Sequence, residues 1–272
     1  MNDRVSISIE GGVADVRLNR PDKMNALDNA MFEGLVAAGE RLKTEKGVRA
    51  VVLSGEGRAF CAGLDMGNFG RMAEGPRGQS TTTERSDQAL GARTHSVANR
   101  AQYAVWVWRD LPMPVIAAVH GVAFGGGFQV ALGPDLRYVA PDTKMCVMEI
   151  KWGLVPDMAG TQLMRHLARE DVVRELTYTG RIFSGEEALQ YGFATRVCAD
   201  PRCEALATAR EIAGKSPDAI RAAKRILNDA VLVDPKTGLT QESVEQGKLI
   251  GSPNQIEAVM SNMQKRAPAY VD

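Results

Sequence analysis

Two short turns hold the residues of this chain best suited to chemistry. The first reads Ala59-Phe60-Cys61-Ala62-Gly63-Leu64-Asp65. The second reads Val119-His120-Gly121-Val122-Ala123-Phe124-Gly125-Gly126-Gly127-Phe128-Gln129. Three successive glycines at a strand-to-helix transition leave the backbone uncovered, so N–H groups can approach a ligand atom where the helix dipole is positive. Such a turn suits an anion that exists only during reaction, which is what an oxyanion hole binds. A nucleotide phosphate fits poorly, because neither G-x-G-x-x-G nor G-x-x-x-x-G-K-[ST] is present. The plain alternative is a packing turn without a ligand, and pairing with the first turn argues against it.

The elements that must position these turns can be read from periodicity. Val5 to Ile9 alternates, Gly11-Gly12 turns, and Val13 to Leu18 alternates again, which predicts a hairpin. A helix is expected over about Asp28 to Thr44, with Asp28 as N-cap and Met31, Leu35 and Leu42 on one face. Ala50 to Leu53 and Val115 to Val119 are continuous apolar runs, as in strands buried on both faces. Phe128 to Leu132 reads as helix, and Leu136 to Val139 and Met145 to Met148 as short strands. Gly67 to Asp87, rich in Gly, Ser, Thr and Arg, reads as a mobile loop, with disorder as the competing reading. Gln88 to Trp108 is expected to be helical. Ser184-Gly185-Glu186-Glu187 is a capping box stopped by Gly192. Ser216-Pro217 is an N-cap and N1 proline ahead of Ile220, Ala223, Leu227 and Val231. Strands alternate with helices in the first half and helices alone follow, so a sheet-based α/β core with a helical C-terminal region is expected.

Composition removes several function classes. With 33 Lys plus Arg against 33 Asp plus Glu the formal net charge is zero, which gives no basic surface for nucleic acid. Cys61, Cys146, Cys198 and Cys203 form no C-x-x-C pair and no ligand-spaced cluster with His95, His120 and His166, so reduced thiols and no metal site are expected. The N-terminal residues lack the pattern of a secretory signal. Val115 to Gly133 is too polar and glycine-rich for a membrane span. A cytoplasmic protein with neither membrane nor nucleic-acid partner is the expectation.

These motifs, in order and spacing, resemble the enoyl-CoA hydratase/isomerase (crotonase) superfamily. The resemblance rests on Asn25-Ala26-Leu27, on Ala59 to Asp65, on Pro114-Val115-Ile116-Ala117-Ala118-Val119-His120-Gly121, on the glycine triplet and on Leu176-Thr177-Tyr178-Thr179-Gly180, and it runs from Val5 to about Arg266. It implies a crotonase-like spiral of ββα units over residues 1–200 carrying an acyl-CoA site. A helical trimerisation region would follow over 201–272, giving homotrimers or hexamers. It also implies acyl-CoA thioester substrates and no cofactor beyond the coenzyme A of the substrate. By position, the backbone N–H groups of Leu64 and Gly126 would form the oxyanion hole. Ala62, Gly63, Leu64, Asp65 and Met66, with Gly126, would line the CoA site.

An enolate-forming site also needs an acid near the hole, since donors on the thioester oxygen only lower the barrier to proton removal. Hydratases of the resembling family use two glutamates, one two residues after the triplet and one twenty further on. Here the first is Gln129, an amide that cannot exchange a proton near neutral pH. The second is Glu149. Asp157, eight residues later, gives a Glu-x7-Asp pattern that resembles the dienoyl-CoA isomerase branch, although that branch usually has an aspartate where Gln129 stands. Catalytic candidates are therefore Glu149, Asp157 and Gln129. Glu149 could instead be a structural carboxylate paired with Arg137 or Lys151, and Asp157 could cap the helix starting near Ala159. His120 reads as structural; Arg181 and Lys265 read as solvated surface charge that could alternatively reach CoA phosphates. Three functions follow: an acyl-CoA isomerase shifting double bonds, a 2-enoyl-CoA hydratase, and a non-catalytic CoA-thioester-binding protein. Acyl specificity is expected from the Gly67 to Trp108 region.

Overall fold

The computed structural model describes residues 3–67 and 90–272. The expectation for Gly67 to Asp87 lies almost wholly outside the described residues. β1 (Val5–Glu10) and β2 (Val13–Leu18) form the antiparallel hairpin read from the sequence. From β2 onward the main sheet is parallel. β2 pairs with β3 (Ala50–Gly55), β3 with β4 (Val115–Val119), β4 with β6 (Leu136–Val139), and β6 with β8 (Arg196–Val197). A second, two-stranded parallel sheet joins β5 (Val122–Phe124) to β7 (Lys144–Cys146).

Both faces of the main sheet are covered, which explains why β3 and β4 are apolar throughout rather than alternating. Val51, Leu53, Val115, Ala117 and Val119 face the larger core with Met31, Leu35 and Leu42 of α1 (Asn29–Thr44) and with α2 (Arg100–Asp110). The intervening Ala50, Val52, Ile116 and Ala118 face the opposite way, against Ala205, Ala209 and Ala213. These alanines lie in a later series of helices whose first members are α3 (Gly126–Leu132), α4 (Gly160–Met164), α5 (Glu170–Thr179) and α6 (Gly185–Tyr191). The series continues through α7 (Pro201–Ala213), α8 (Pro217–Ala230), α9 (Pro235–Leu249) and α10 (Pro253–Met263). Among the described residues no helix is long and apolar enough to cross a membrane.

Three local expectations need correction. The helix expected over Gln88 to Trp108 is interrupted: Leu90 and Gly91 are helical, 92–99 are not, and α2 begins at Arg100. Asn99 accepts from the Gln102 N–H while the Gln102 side chain accepts from the Asn99 N–H, a capping box that fixes the start. The strand expected over Met145 to Met148 is displaced to Lys144–Cys146, because the chain then winds into a 3-10 turn over Glu149–Trp152. Ser216 occupies the N-cap position of α8, yet its hydroxyl makes no capping bond. Leu227, on that helix, is 69% exposed, so the periodic face there is not part of the core.

α1 and α2 cross where Gly39 meets Val107; a Cβ on Gly39 would lie 2.2 Å from Val107 Cγ2. Gly39→Ala is therefore an overpacking substitution with no soft neighbour to yield. It should lower the unfolding free energy by about 1–3 kcal/mol in chemical denaturation, and an unchanged midpoint would show that the crossing can spread without cost.

Candidate functional site

The two turns leave the C-terminal ends of β3 and β4, which are neighbours in the sheet. Backbone bonds then lace them together. Cys61 N–H donates to Val122 O at 3.0 Å, Phe124 N–H donates to Cys61 O at 3.1 Å, and Phe60 N–H donates to His120 O at 2.9 Å. On the other side of the first turn, Leu27 N–H donates to Gly63 O at 2.8 Å and Asp65 N–H donates to Leu27 O at 3.1 Å. In this parallel bridge Leu27 uses the groups on either side of Leu64, so the Leu64 amide faces away from it. Asn25 holds the base of the turn. Its Nδ2 donates to Glu56 O and Ala59 O, its Oδ1 accepts from Arg20 N–H, and its carbonyl accepts from the buried Cys61 thiol.

The glycines allow close approach. A Cβ on Gly127 would sit 2.3 Å from Cys61 O, and a Cβ on Gly63 would sit 2.5 Å from Phe124 O and 3.8 Å from Gly126 N. Any side chain at either position would push the turns apart. Gly125, with φ +50°, turns the chain so that Gly126 opens α3. The first N–H groups of a helix lack intrahelical acceptors, so the Gly126 amide is available to a ligand at the positive end of α3. The Leu64 and Gly126 amides thus sit on two turns packed against each other, as an oxyanion hole requires. Leu27 Cδ1 and Met158 Sδ lie within 2.9 Å of where a Gly126 Cβ would be, giving the turn an apolar wall. The sequence carries no signal for Met158.

Glu149 stands beside this turn. Its Oε1 would lie 3.3 Å from a Cβ on Gly125. The residue is 9% exposed; Oε1 accepts from Gln129 Nε2 at 2.6 Å, while Oε2 is buried and has no hydrogen-bond partner. Burial pushes the Glu149 carboxyl above its ordinary value; its own backbone N–H, then the Gln129 amide and the Met148 N–H, work against that, and the charge of Asp157 adds to the rise. Neither proposed structural partner is engaged. Arg137 donates to Phe193 O, Leu132 O and Pro134 O, and Lys151 lies over the Trp152 ring. Asp157 is exposed as a whole residue, yet burial of its carboxyl raises its pKa too. It does not cap a helix: the residue before α4 is Ala159, in the left-handed conformation with φ +65°.

The remaining candidates are placed as follows. His120 Nε2 is 2.9 Å from Gly57 O, the structural role read from the sequence. Arg181 is paired with Glu175 and Glu187. Lys265 is exposed beyond the end of α10. In the first turn, Ala62 N–H donates to Met24 O, Asp65 is paired with Arg20 at 2.6 Å, and Met66 is exposed. Among the described residues no group of three His, Cys, Asp or Glu is placed to hold a metal ion.

A mostly parallel sheet whose strand ends feed two glycine turns, with a buried carboxylate at their side, defines a crotonase-type fold and site. Residues 8–272 match the model of the enoyl-CoA hydratase/isomerase family, and the chain belongs to that family. The chain is 30% identical over 266 residues to the mitochondrial methylglutaconyl-CoA hydratase of Mus musculus, covering 95% of this chain and 79% of that protein. It is 34% identical over 221 residues to the human mitochondrial Delta(3,5)-Delta(2,4)-dienoyl-CoA isomerase, covering 80% of this chain and 66% of that one. The crystal structure of an enoyl-CoA hydratase from Bacillus anthracis superposes with a TM-score of 0.86 at 30% identity, covering 98% of each chain. Family membership supports hydratase/isomerase activity on acyl-CoA, and relatives of both kinds are similarly close.

Two outcomes test the site. Gly127→Ala should separate the turns and lower turnover of acyl-CoA by roughly 10²–10³-fold; a variant with wild-type turnover would show that the Cys61 carbonyl contact does not set the geometry. Glu149→Gln bears on stability. A carboxyl whose folded pKa lies above its unfolded value binds more protons when folded, so its contribution to stability falls as pH rises between the two. The substitution should therefore raise the melting temperature at about pH 7, and the gain should shrink at about pH 5. A loss of stability at the higher pH would contradict burial of an unpaired ionised oxygen.

Proposed function

We propose that the chain is an acyl-CoA isomerase that shifts a double bond through a thioester enolate. The observation that carries this reading is the asymmetry of the acids. Glu149 has one buried oxygen without a partner, while the residue where hydratases have a second glutamate is an amide already bonded to Glu149.

In this reading the thioester oxygen accepts hydrogen bonds from the Leu64 and Gly126 N–H groups. Glu149 Oε2 removes a proton from the carbon next to the carbonyl. The C–H electron pair delocalises into the carbonyl and the existing double bond, giving a dienolate whose oxygen the two donors stabilise. A proton returned further along the chain, by Glu149 itself or by Asp157, completes the shift with no net gain or loss of atoms. The raised pKa of Glu149 suits the task, since a base with higher proton affinity removes a weakly acidic proton faster. Ala62, Gly63, Asp65 and Met66 would follow the CoA moiety. The chemistry needs no resident metal or organic cofactor. A cytoplasmic setting is proposed with it, consistent with four free cysteines. The exposed apolar residues Leu227, Leu239, Ile256 and Met263 of the C-terminal helices support assembly into a homotrimer or hexamer.

A second reading, hydration of 2-enoyl-CoA, is favoured by the hydratase-named relatives and needs Asp157 to act as the second acid. The two separate in one assay series. Under the isomerase reading the purified protein changes the ultraviolet absorbance of a 3-enoyl-CoA or 3,5-dienoyl-CoA and adds little water to crotonyl-CoA. Glu149→Gln should lower isomerisation by roughly 10²–10⁴-fold. The wild-type rate should fall as pH drops through the raised Glu149 pKa, because the base must be ionised. Wild-type turnover in the Glu149 variant would remove the base assignment; rapid hydration of crotonyl-CoA would favour the second reading.

A further inference from the structure

The geometry points to Gln129 as a positioning residue that anchors the Glu149 carboxylate and the backbone next to Asp157, holding Glu149 by Oε1 so that Oε2 is left to act, and holding the Met158 and Gly160 N–H groups through its own carbonyl. This rests on the reading of Glu149 as the base. Gln129 is 1% exposed, and its side chain makes three hydrogen bonds within the site. Its Oε1 accepts from Met158 N–H at 2.8 Å and from Gly160 N–H at 2.9 Å. Its Nε2 donates to Glu149 Oε1 at 2.6 Å.

The two backbone donors decide which way the amide faces. Only an oxygen can accept from them, so the Gln129 nitrogen must face Glu149, and a nitrogen can only donate. Glu149 Oε1 is thereby committed in its ionised form, and Oε2 remains the unpartnered atom. The Met158 N–H belongs to the peptide that joins Asp157 to Met158, so the same side chain fixes the backbone that carries the second acid. Gln129 itself sits on α3, the helix that begins at Gly126. One residue therefore ties the oxyanion turn, the base and the Asp157 segment into a single unit.

A carboxylate could not replace it unchanged. Two carboxylates in such contact would have to share a proton, and that proton would lie on the bond that now orients Glu149. Gly160 shows how closely the amide is seated, since a Cβ there would lie 2.5 Å from Gln129 Oε1 and 2.9 Å from Cδ. The charged group facing Glu149 from outside its own segment is Asp157; on its own segment the neighbours are Cys146 and Lys151, the latter turned over Trp152.

The test uses Gln129→Met, which keeps the length of the side chain and removes all three bonds, together with Gly160→Ala, which crowds the amide from the far side without removing it. Each should lower kcat about tenfold or more with KM little changed. Each should also move the acid limb of the kcat/KM profile to higher pH by about one unit, because the hydrogen bond that favours ionised Glu149 is lost or weakened. The double variant should be no worse than the more affected single variant, as expected when both act through one contact. A wild-type pH profile in the folded Gln129 variant, or fully additive losses in the double variant, would overturn the assignment. If Gln129→Met does not fold, the displaced limb in Gly160→Ala alone decides. Glu149→Gln, assayed alongside, separates the two claims. If it retains turnover, the base assignment has failed; if it is inactive while the Gln129 variant keeps the wild-type profile, only the positioning role has failed.

Discussion

The contact on which the site depends is backbone against backbone, where the Cys61 segment runs beside Val122 to Gly127. A parallel sheet delivers the chain to this place twice, at the C-terminal ends of β3 and β4, and adjacent strands guarantee that the following turns are neighbours. Neighbouring turns normally keep side chains between them. Here the carbonyl of Cys61 accepts the Phe124 N–H and lies where a Gly127 Cβ would be, so the turns touch through main-chain atoms. Two amides on separate loops can address one oxygen only at such range. The hydrogen bonds that lace the turns also satisfy groups that would otherwise be buried and unpaired, so the arrangement is held by the same demand that governs any interior.

The floor beneath that contact is rigid for a related reason. β3 and β4 are buried on both faces, with alternate residues packed into two separate apolar clusters. A shift of either strand by one residue would exchange those faces and disturb both clusters. Asn25 extends the rigidity to the first turn by bonding to Glu56 O, Ala59 O and Arg20 N–H. Loop positions are thus inherited from sheet register, and the amides proposed for the oxyanion hole need no side-chain chemistry of their own.

Much of this was legible in the sequence because it depends on local rules. The apolar runs at Ala50 to Leu53 and Val115 to Val119, the Asp28 cap, and the Ser184 capping box all express backbone preferences that a short window contains. The glycine triplet marked the turn, whereas Glu149 was singled out by its offset from the triplet in the resembling family, which no short window contains. What the sequence could not convey was pairing between distant segments. Nothing near Gln129 indicates that its amide meets Glu149 twenty residues on, or that Met158 and Gly160 supply the donors that orient it. The break within the helix expected over Gln88 to Trp108 has a different origin: Asn99 and Gln102 form a capping box, a local signal that restarts the helix at Arg100.

Glu149 shows how these levels meet. An ionised carboxylate oxygen buried without a donor opposes folding, so its presence calls for compensation elsewhere. The large core, covered on both sides of the sheet, can offset it, and Gln129 reduces it by satisfying one of the two oxygens. Full satisfaction would remove the cost and also the reactivity, because a carboxylate with both oxygens bonded is a weaker base. Leaving one oxygen bare beside an apolar wall of Leu27 and Met158 keeps the proton affinity high where a substrate carbon would lie. The amide at Gln129 is therefore not simply a lost acid. In the proposed reading it supplies a fixed donor that favours the ionised form of Glu149, aims it and leaves one of its oxygens unsatisfied.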